Sequence, residues 1–255
     1  MHKMTKLALF ASALLLLLSC EEDTTLRYNN VTMADIVEGV IVSDQGNTFN
    51  IVEQTCPGNH NEMDRVMIIC DVLAKTGDNE YDIRLTRMAD VLRKETKLLS
   101  GASEDEETVT RDPVTITDLW ISGGYINMYV MFEIVPGSGK RHYMNLLWDQ
   151  ENSKDGKYRF ELWHNANGEV FPTEEGADNS DFKFGGSYVS FPISQIIEEQ
   201  EAEITINCLS HKITDGYIWH SETVEHNITR RYSKNTFEHT PASAGESRLI
   251  FAFSR

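Results

Sequence analysis

Ile126-Asn127-Met128-Tyr129-Val130-Met131-Phe132-Glu133-Ile134 puts an apolar side chain at every second position. Side chains alternate between the two faces of an extended strand. The spacing therefore predicts a β-strand with Ile126, Met128, Val130, Phe132 and Ile134 on its core face. The same period continues outward. Pro136–Lys140 reads as a hairpin turn, after which His142, Met144, Leu146 and Trp148 share a face. Asn152–Gly156 reads as a second turn, before Tyr158, Phe160 and Leu162. Upstream, Val114, Ile116 and Trp120 are in phase; downstream come Val189–Ile193, Ile204–Cys208, Tyr217–Trp219 and Leu249–Phe253. Short strands separated by turn signals predict a β-sandwich over 113–255. Ser210–Ser247, rich in His, Thr and Asn, is the least legible part.

The first half alternates as well. Ala34, Ile36, Val40 and Val42 fall on one face if Gly39 is a bulge. Phe49 and Ile51, then Val66–Leu73, then Tyr81, Ile83 and Leu85 give further strands. Met88, Val91 and Leu92 have helical spacing, which predicts a short helix or an irregular closing strand. Four or five strands over 31–97 suit a small, partly open barrel. Ser100-Gly101-Ala102-Ser103 and the acidic Glu104–Glu107 mark 98–112 as a linker, and Pro113 opens the next unit.

The N-terminus carries an address. His2, Lys3 and Lys6 precede the apolar run Leu7–Leu18, which is too short to cross a bilayer stably. Leu17-Leu18-Ser19-Cys20 has the form of a lipobox, so 1–19 is expected to be a lipoprotein signal peptide. Cys20 is then the acylated first residue of the mature chain, 20–30 a tether, and the lipid the only membrane attachment. Loss of Lys3 and Lys6 moves the formal charge from −17 to −19. Such a surface repels phosphate backbones, which argues against nucleic acid as a partner. Of the other cysteines, Cys56 and Cys70 form the only local pair. A hairpin around Pro57–Asp64 would set Cys70 opposite a residue near Phe49, so Cys70 and Cys208 read as small core residues.

Motifs for chemistry are weak. Gly137-Ser138-Gly139-Lys140 lacks the flanking Gly and Ser/Thr of a phosphate loop, since Ile134 and Arg141 stand there. His211, His220, His226 and His239 have no compact metal-ligand spacing, and His164–Glu169 lacks the acids of a calcium loop. Asn167-Gly168 reads as a tight turn. Ser122 and Ser187 sit beside glycines but in no strand-to-helix elbow. No catalytic residue, metal or cofactor is expected.

From Asp112-Pro113-Val114-Thr115-Ile116-Thr117-Asp118-Leu119-Trp120-Ile121-Ser122-Gly123-Gly124-Tyr125-Ile126-Asn127-Met128 the sequence resembles the NigD-like lipoproteins. His164-Asn165-Ala166-Asn167-Gly168-Glu169 and Gly186-Ser187-Tyr188-Val189-Ser190-Phe191 extend the resemblance. It implies an all-β chain, an N-terminal OB-type barrel followed by a β-sandwich, in Gram-negative anaerobes. There, acids after the lipidated cysteine favour display on the outer membrane's exterior, and Glu21-Glu22-Asp23 looks like such a signal. It supplies no catalytic residues.

One surface constellation stands out on the faces opposite the core stripe: Tyr125, Asn127 and Tyr129, then Tyr143 and Asn145, then Arg159, Glu161 and Trp163, of which Tyr143, Asn145, Glu161 and Trp163 are the candidate ligand contacts. With Pro136–Lys140 and Asn152–Gly156 as hairpins, Tyr143 lies across from Glu133 on one side and near Trp163 on the other. Asn145 then lies near Glu161. Flat rings beside an amide and a carboxylate suit a sugar or a peptide; the alternative, which exposed aromatic sheet faces favour, is that this face packs on the barrel or on Ser210–Ser247. The expected function is non-enzymatic binding of a glycan or protein partner by a surface-displayed lipoprotein. The alternative is a bacteriocin-associated immunity or envelope-accessory protein acting through a protein partner.

Overall fold

Alternating segments pair into ladders throughout the computed structural model, which describes residues 26–102, 110–172, 181–214 and 218–231. The first five strands are β1 (Leu26–Val37), β2 (Val40–Ser43), β3 (Thr48–Gln54), β4 (Arg65–Lys75) and β5 (Glu80–Arg93). They pair in the order β1-β2-β3-β5-β4 and back to β1, with β3 and β5 parallel. That closed order is an OB-type barrel. Its core holds Ala34, Ile41, Phe49, Val66, Ile68, Cys70, Val72, Ile83 and Leu85.

Two expectations for this half change. Gly39 is no bulge: Val37 pairs with Val40, and Glu38-Gly39 forms a two-residue hairpin with φ of 51° and 81°. Positive φ at both positions matches the strand twist, which favours Gly there. The strand β1 begins at Leu26, paired with Val72, so 26–30 belong to the barrel and not to a tether. Of the short helix or irregular closing strand expected at Met88, Val91 and Leu92, the strand is the one observed: β5 stays extended to Arg93 and pairs with β4 through register shifts. Cys70 lies opposite Leu85 and Tyr28, and Cys56, Cys70 and Cys208 are free thiols.

The remaining strands are β6 (Lys97–Leu98), β7 (Thr115–Ser122), β8 (Tyr125–Ile134), β9 (Tyr143–Lys154), β10 (Lys157–Asn165), β11 (Lys183–Pro192), β12 (Glu201–Thr214) and β13 (Ile218–Arg231). One layer of the sandwich is β11-β8-β7 and the other is β13-β12-β10-β9-β6. Between them lie Ile126, Met128, Val130, Met144, Leu146, Phe160, Leu162, Val189, Phe191, Ile204, Ile206 and Cys208, among others. The core phase read at Ile126–Val130 is therefore the observed one. A register shift between Ile116 and Asp118 turns Leu119, not Trp120, inward. The paired strands β12 and β13 take up the described part of the segment that was hardest to read, 210–214 and 218–231; the rest of it lies outside the described residues. The expected strand Leu249–Phe253 lies outside the described residues.

The largest correction concerns Pro136–Lys140. The strands β8 and β9 are not neighbours: β8 pairs with β7 and β11, while β9 pairs with β10 and β6. The segment crosses from one layer to the other, so Tyr143 does not face Glu133. Gly and Pro signal a reversal but not which sheet the chain re-enters.

Barrel and sandwich share a sheet and a polar joint. Tyr188, Val189 and Ser190 of β11 pair in parallel with Val91, Leu92 and Arg93 of β5, so one eight-stranded sheet spans both. Beside this pairing the Arg65 side chain has no exposure. It contacts Asp35 at 2.8 Å and Asp44 through both terminal nitrogens at 2.9 and 2.8 Å. It also donates to Ser190 Oγ (2.9 Å) and Asn127 Oδ1 (3.0 Å), and its guanidinium lies 4.0 Å from the Tyr125 ring centroid. Asp35 and Asp44 raise the arginine's pKa against the opposing effect of burial. Gly123 at the β7–β8 turn is needed here, because a Cβ would lie 2.5 Å from Asp44 and φ is +59°.

Candidate functional site

The outer face of β9 and β10 carries the four residues singled out from sequence. The pairing sets Trp163 opposite Asn145, Glu161 opposite Leu147 and Asn165 opposite Tyr143. The two rings are thus diagonal and not directly opposed, a register two residues from the expected one. Tyr143, Glu161 and Trp163 are half-buried, whereas Asn145 is 1% exposed and has no open face for a ligand. Trp163 Nε1 donates to Glu161 Oε2 at 2.6 Å, and Arg111 Nη2 lies 3.4 Å from the same oxygen. The Arg111 guanidinium is 6.0 Å from the Trp163 ring and Lys94 Nζ is 5.8 Å from Tyr143. The face therefore offers two rings edged by cations, with one carboxylate fixing the indole. Lys94 and Arg111 come from the segments on either side of the acidic stretch. No spacing rule linked them to β9 and β10.

A second constellation was missed. At the end of the sandwich where the chain crosses to β9, His142 Nδ1 lies 3.0 Å from His164 Nε2. His142 Nε2 lies 3.1 Å from Glu169 Oε2, and His164 Nδ1 donates to the Pro113 carbonyl at 2.8 Å. Glu169 Oε2 also accepts the Val135 N–H at 2.9 Å. Phe132 packs against both imidazoles, with ring centroids 5.0 and 5.2 Å away. Nearby, His211 Nε2 is 3.0 Å from Glu133 Oε1, both side chains being almost fully enclosed. Burial pushes His164 down to about 4, against the raising effect of its bond to Pro113. Burial alone would raise Glu169, but hydrogen bonds from Ser138, Val135 and His142 hold its carboxyl at about 2. The turn predicted at Asn167-Gly168 is present, with φ of 52° and 82°, and it carries Glu169 back toward His142. The signal was available: His142 is in phase with Met144 and Leu146, and His164 with Phe160 and Leu162. Among the described residues, no three His, Cys, Asp or Glu side chains are arranged to hold a metal ion.

Cys20, Glu21, Glu22 and Asp23 lie outside the described residues, as does His239. A family model described as the NigD-like C-terminal beta sandwich domain matches residues 97–225. No curated protein matches the sequence. Among solved structures, a protein of unknown function from Bacteroides vulgatus is 19% identical, with a TM-score of 0.58 over 82% of this chain and 96% of that one. A NigD-like immunity protein from Bacteroides caccae is 18% identical, with a TM-score of 0.51 over 77% and 90%. A protein described as a lipoprotein from Bacteroides fragilis is 16% identical, with a TM-score of 0.53 over 82% and 100%. At these identities the likeness is one of fold.

Proposed function

The chain belongs to the family defined by the NigD-like C-terminal beta sandwich domain, and from that premise we propose a lipid-anchored, surface-displayed envelope protein that binds a partner without catalysis. Acylated Cys20 holds it to the outer membrane, and Glu21-Glu22-Asp23 direct it to the exterior. The barrel, from Leu26 to Arg93, and the sandwich that follows it form the displayed part. Cys20→Ala is expected to abolish palmitate labelling of the protein in growing cells; undiminished labelling would refute the anchor.

The observation that carries the binding role is the half-buried Trp163, its indole oriented by Glu161 and edged by Arg111, on an outer sheet face with Tyr143. A ring held in one orientation loses little entropy when a ligand stacks on it. A glycan or a protein segment suits the face. Stacking and burial contribute on the order of 1–3 kcal/mol, so Trp163→Ala is expected to weaken capture about 5- to 150-fold. Tyr143→Ala has a smaller effect in the same direction. A glycan and peptidoglycan-fragment array, followed by tryptophan-fluorescence titration of each hit, checks this. Equal binding by wild type and both folded variants rejects the platform.

A second reading rests on the Bacteroides caccae neighbour, described as an immunity protein. In that case the partner is a bacteriocin or its receptor, and protection of producing cells depends on this gene while glycan binding does not.

A further inference from the structure

Hydrogen-bond polarity assigns the protons in the buried chain from Pro113 to Glu169. A carbonyl oxygen only accepts, so His164 Nδ1 carries a hydrogen toward Pro113. His164 is fully buried, and as a neutral ring it presents a lone pair at Nε2. His142 Nδ1, 3.0 Å away, must then donate to it. On its other side His142 Nε2 meets Glu169 Oε2, an ionised oxygen that also accepts from Val135. That nitrogen must donate as well. Hydrogen-bond polarity thus makes His142 the donor on both sides, toward the imidazole of His164 and the carboxylate of Glu169.

We propose that this chain is a proton-operated latch: uptake of one proton at His164 Nε2 breaks its contact with His142 and releases the Val135–His142 crossing from the β10 end. A proton on Nε2 would point an N–H at the N–H of His142 Nδ1 across 3.0 Å. Two cationic rings would then be stacked with centroids 5.2 Å apart. The two charges are incompatible in this geometry, and of the two rings His142 sits on the crossing segment. Its departure removes one of the donors that hold Glu169, whose carboxylate pins Val135 at the start of that segment.

The groups around His164 set the range in which the latch works. Glu133 and Asp112 favour a proton on His164, while His142 and burial oppose it, burial most strongly. Glu133 is already engaged by His211. Asp112 accepts from the Ala166 N–H at 2.7 Å. Lys140, on the crossing, donates to the Asn167 carbonyl at 3.0 Å and adds positive charge on the same side. Release is thus an acid event, below the range in which an exposed histidine titrates.

Imidazole nitrogen NMR of the mature chain tests the assignment directly, with His142→Gln and His164→Gln identifying the signals. At pH 7 His142 is expected to be doubly protonated and His164 to be the Nδ1–H tautomer. Between pH 7 and 4, protonation of His164 is expected to coincide with at least a tenfold rise in Val135 amide exchange, corrected for its intrinsic pH dependence. In His142→Gln the repulsion is gone, so His164 titrates at higher pH and Val135 exchange no longer follows it. A neutral His142 at pH 7, or Val135 protection unchanged while His164 titrates, overturns the latch. If the variants fail to fold, the histidine signals are assigned by through-bond correlation and the wild-type titration decides alone.

Discussion

Arg65→Ala is expected to destabilise the protein by about 3–5 kcal/mol, the cost of leaving a buried charge network without its cation. Asp44 is 2% exposed at its side chain and would be left buried without the partner that holds both its oxygens. Asn127 and Ser190, both fully buried, would lose a donor in the same step. In a chain of this size the melting temperature should fall by roughly 6–20 °C. Urea unfolding of the mature chain measures the effect. Arg84→Ala is the control: its 2.7 Å pair with Glu53 is about as short as those of Arg65, but both side chains are substantially exposed. Water already screens that pair, so less than about 1 kcal/mol is expected. Equal losses in the two variants would show that burial of the Arg65 network contributes nothing.

Stability should also fall on acidification, in two stages. His164 has a folded pKa of about 4, below its ordinary 6.5. As pH falls below 6.5 the unfolded chain takes up this proton first, so stability is lost between about pH 6.5 and 4. Burial of the neutral ring makes this on the order of 3 kcal/mol. Glu169 has a folded value of about 2 against 4.5. Its contribution is present above 4.5 and lost as pH falls toward 2. Urea midpoints at pH 7.5, 5 and 3.5 should therefore decline, and His164→Gln should flatten the upper stage specifically. A midpoint independent of pH between 7.5 and 4 would contradict the buried neutral His164.

Strand phase was legible because a half-buried sheet writes its burial directly into a period of two. Ile126, Met128 and Val130 were in phase, and all three are fully buried. Pairing was not legible to the same degree. The Pro136–Lys140 segment contains the Gly, Ser and Pro that serve a hairpin and a layer crossing equally well, so Tyr143 was given a neighbour it does not have. Arg65 was invisible for another reason. Its partners Asp35, Asp44, Asn127 and Ser190 stand 21 to 125 positions away, on faces that alternation assigns to solvent. Polar residues on the outer faces of two modules read as surface until the modules are brought together. The two histidines lay on core faces, where a polar ring is a conflict between local pattern and environment. That conflict marks the latch, as the outer aromatics mark the platform. Lys94 and Arg111 enter the site from connecting segments whose course no periodicity specifies.

The ladder between β5 and β11 also sets a timetable for a chain that is made amino-terminus first. Val91 finds its partner Tyr188 only after 97 more positions have emerged. Until then the tip of the barrel's longest strand is an open edge, able to recruit whatever extended segment passes. Closing so long a loop is entropically slow, and a parallel register adds to the delay. The union of barrel and sandwich therefore waits until β11 has emerged, and the interval before it is when a holding chaperone, or a neighbouring copy, meets the unfinished edge.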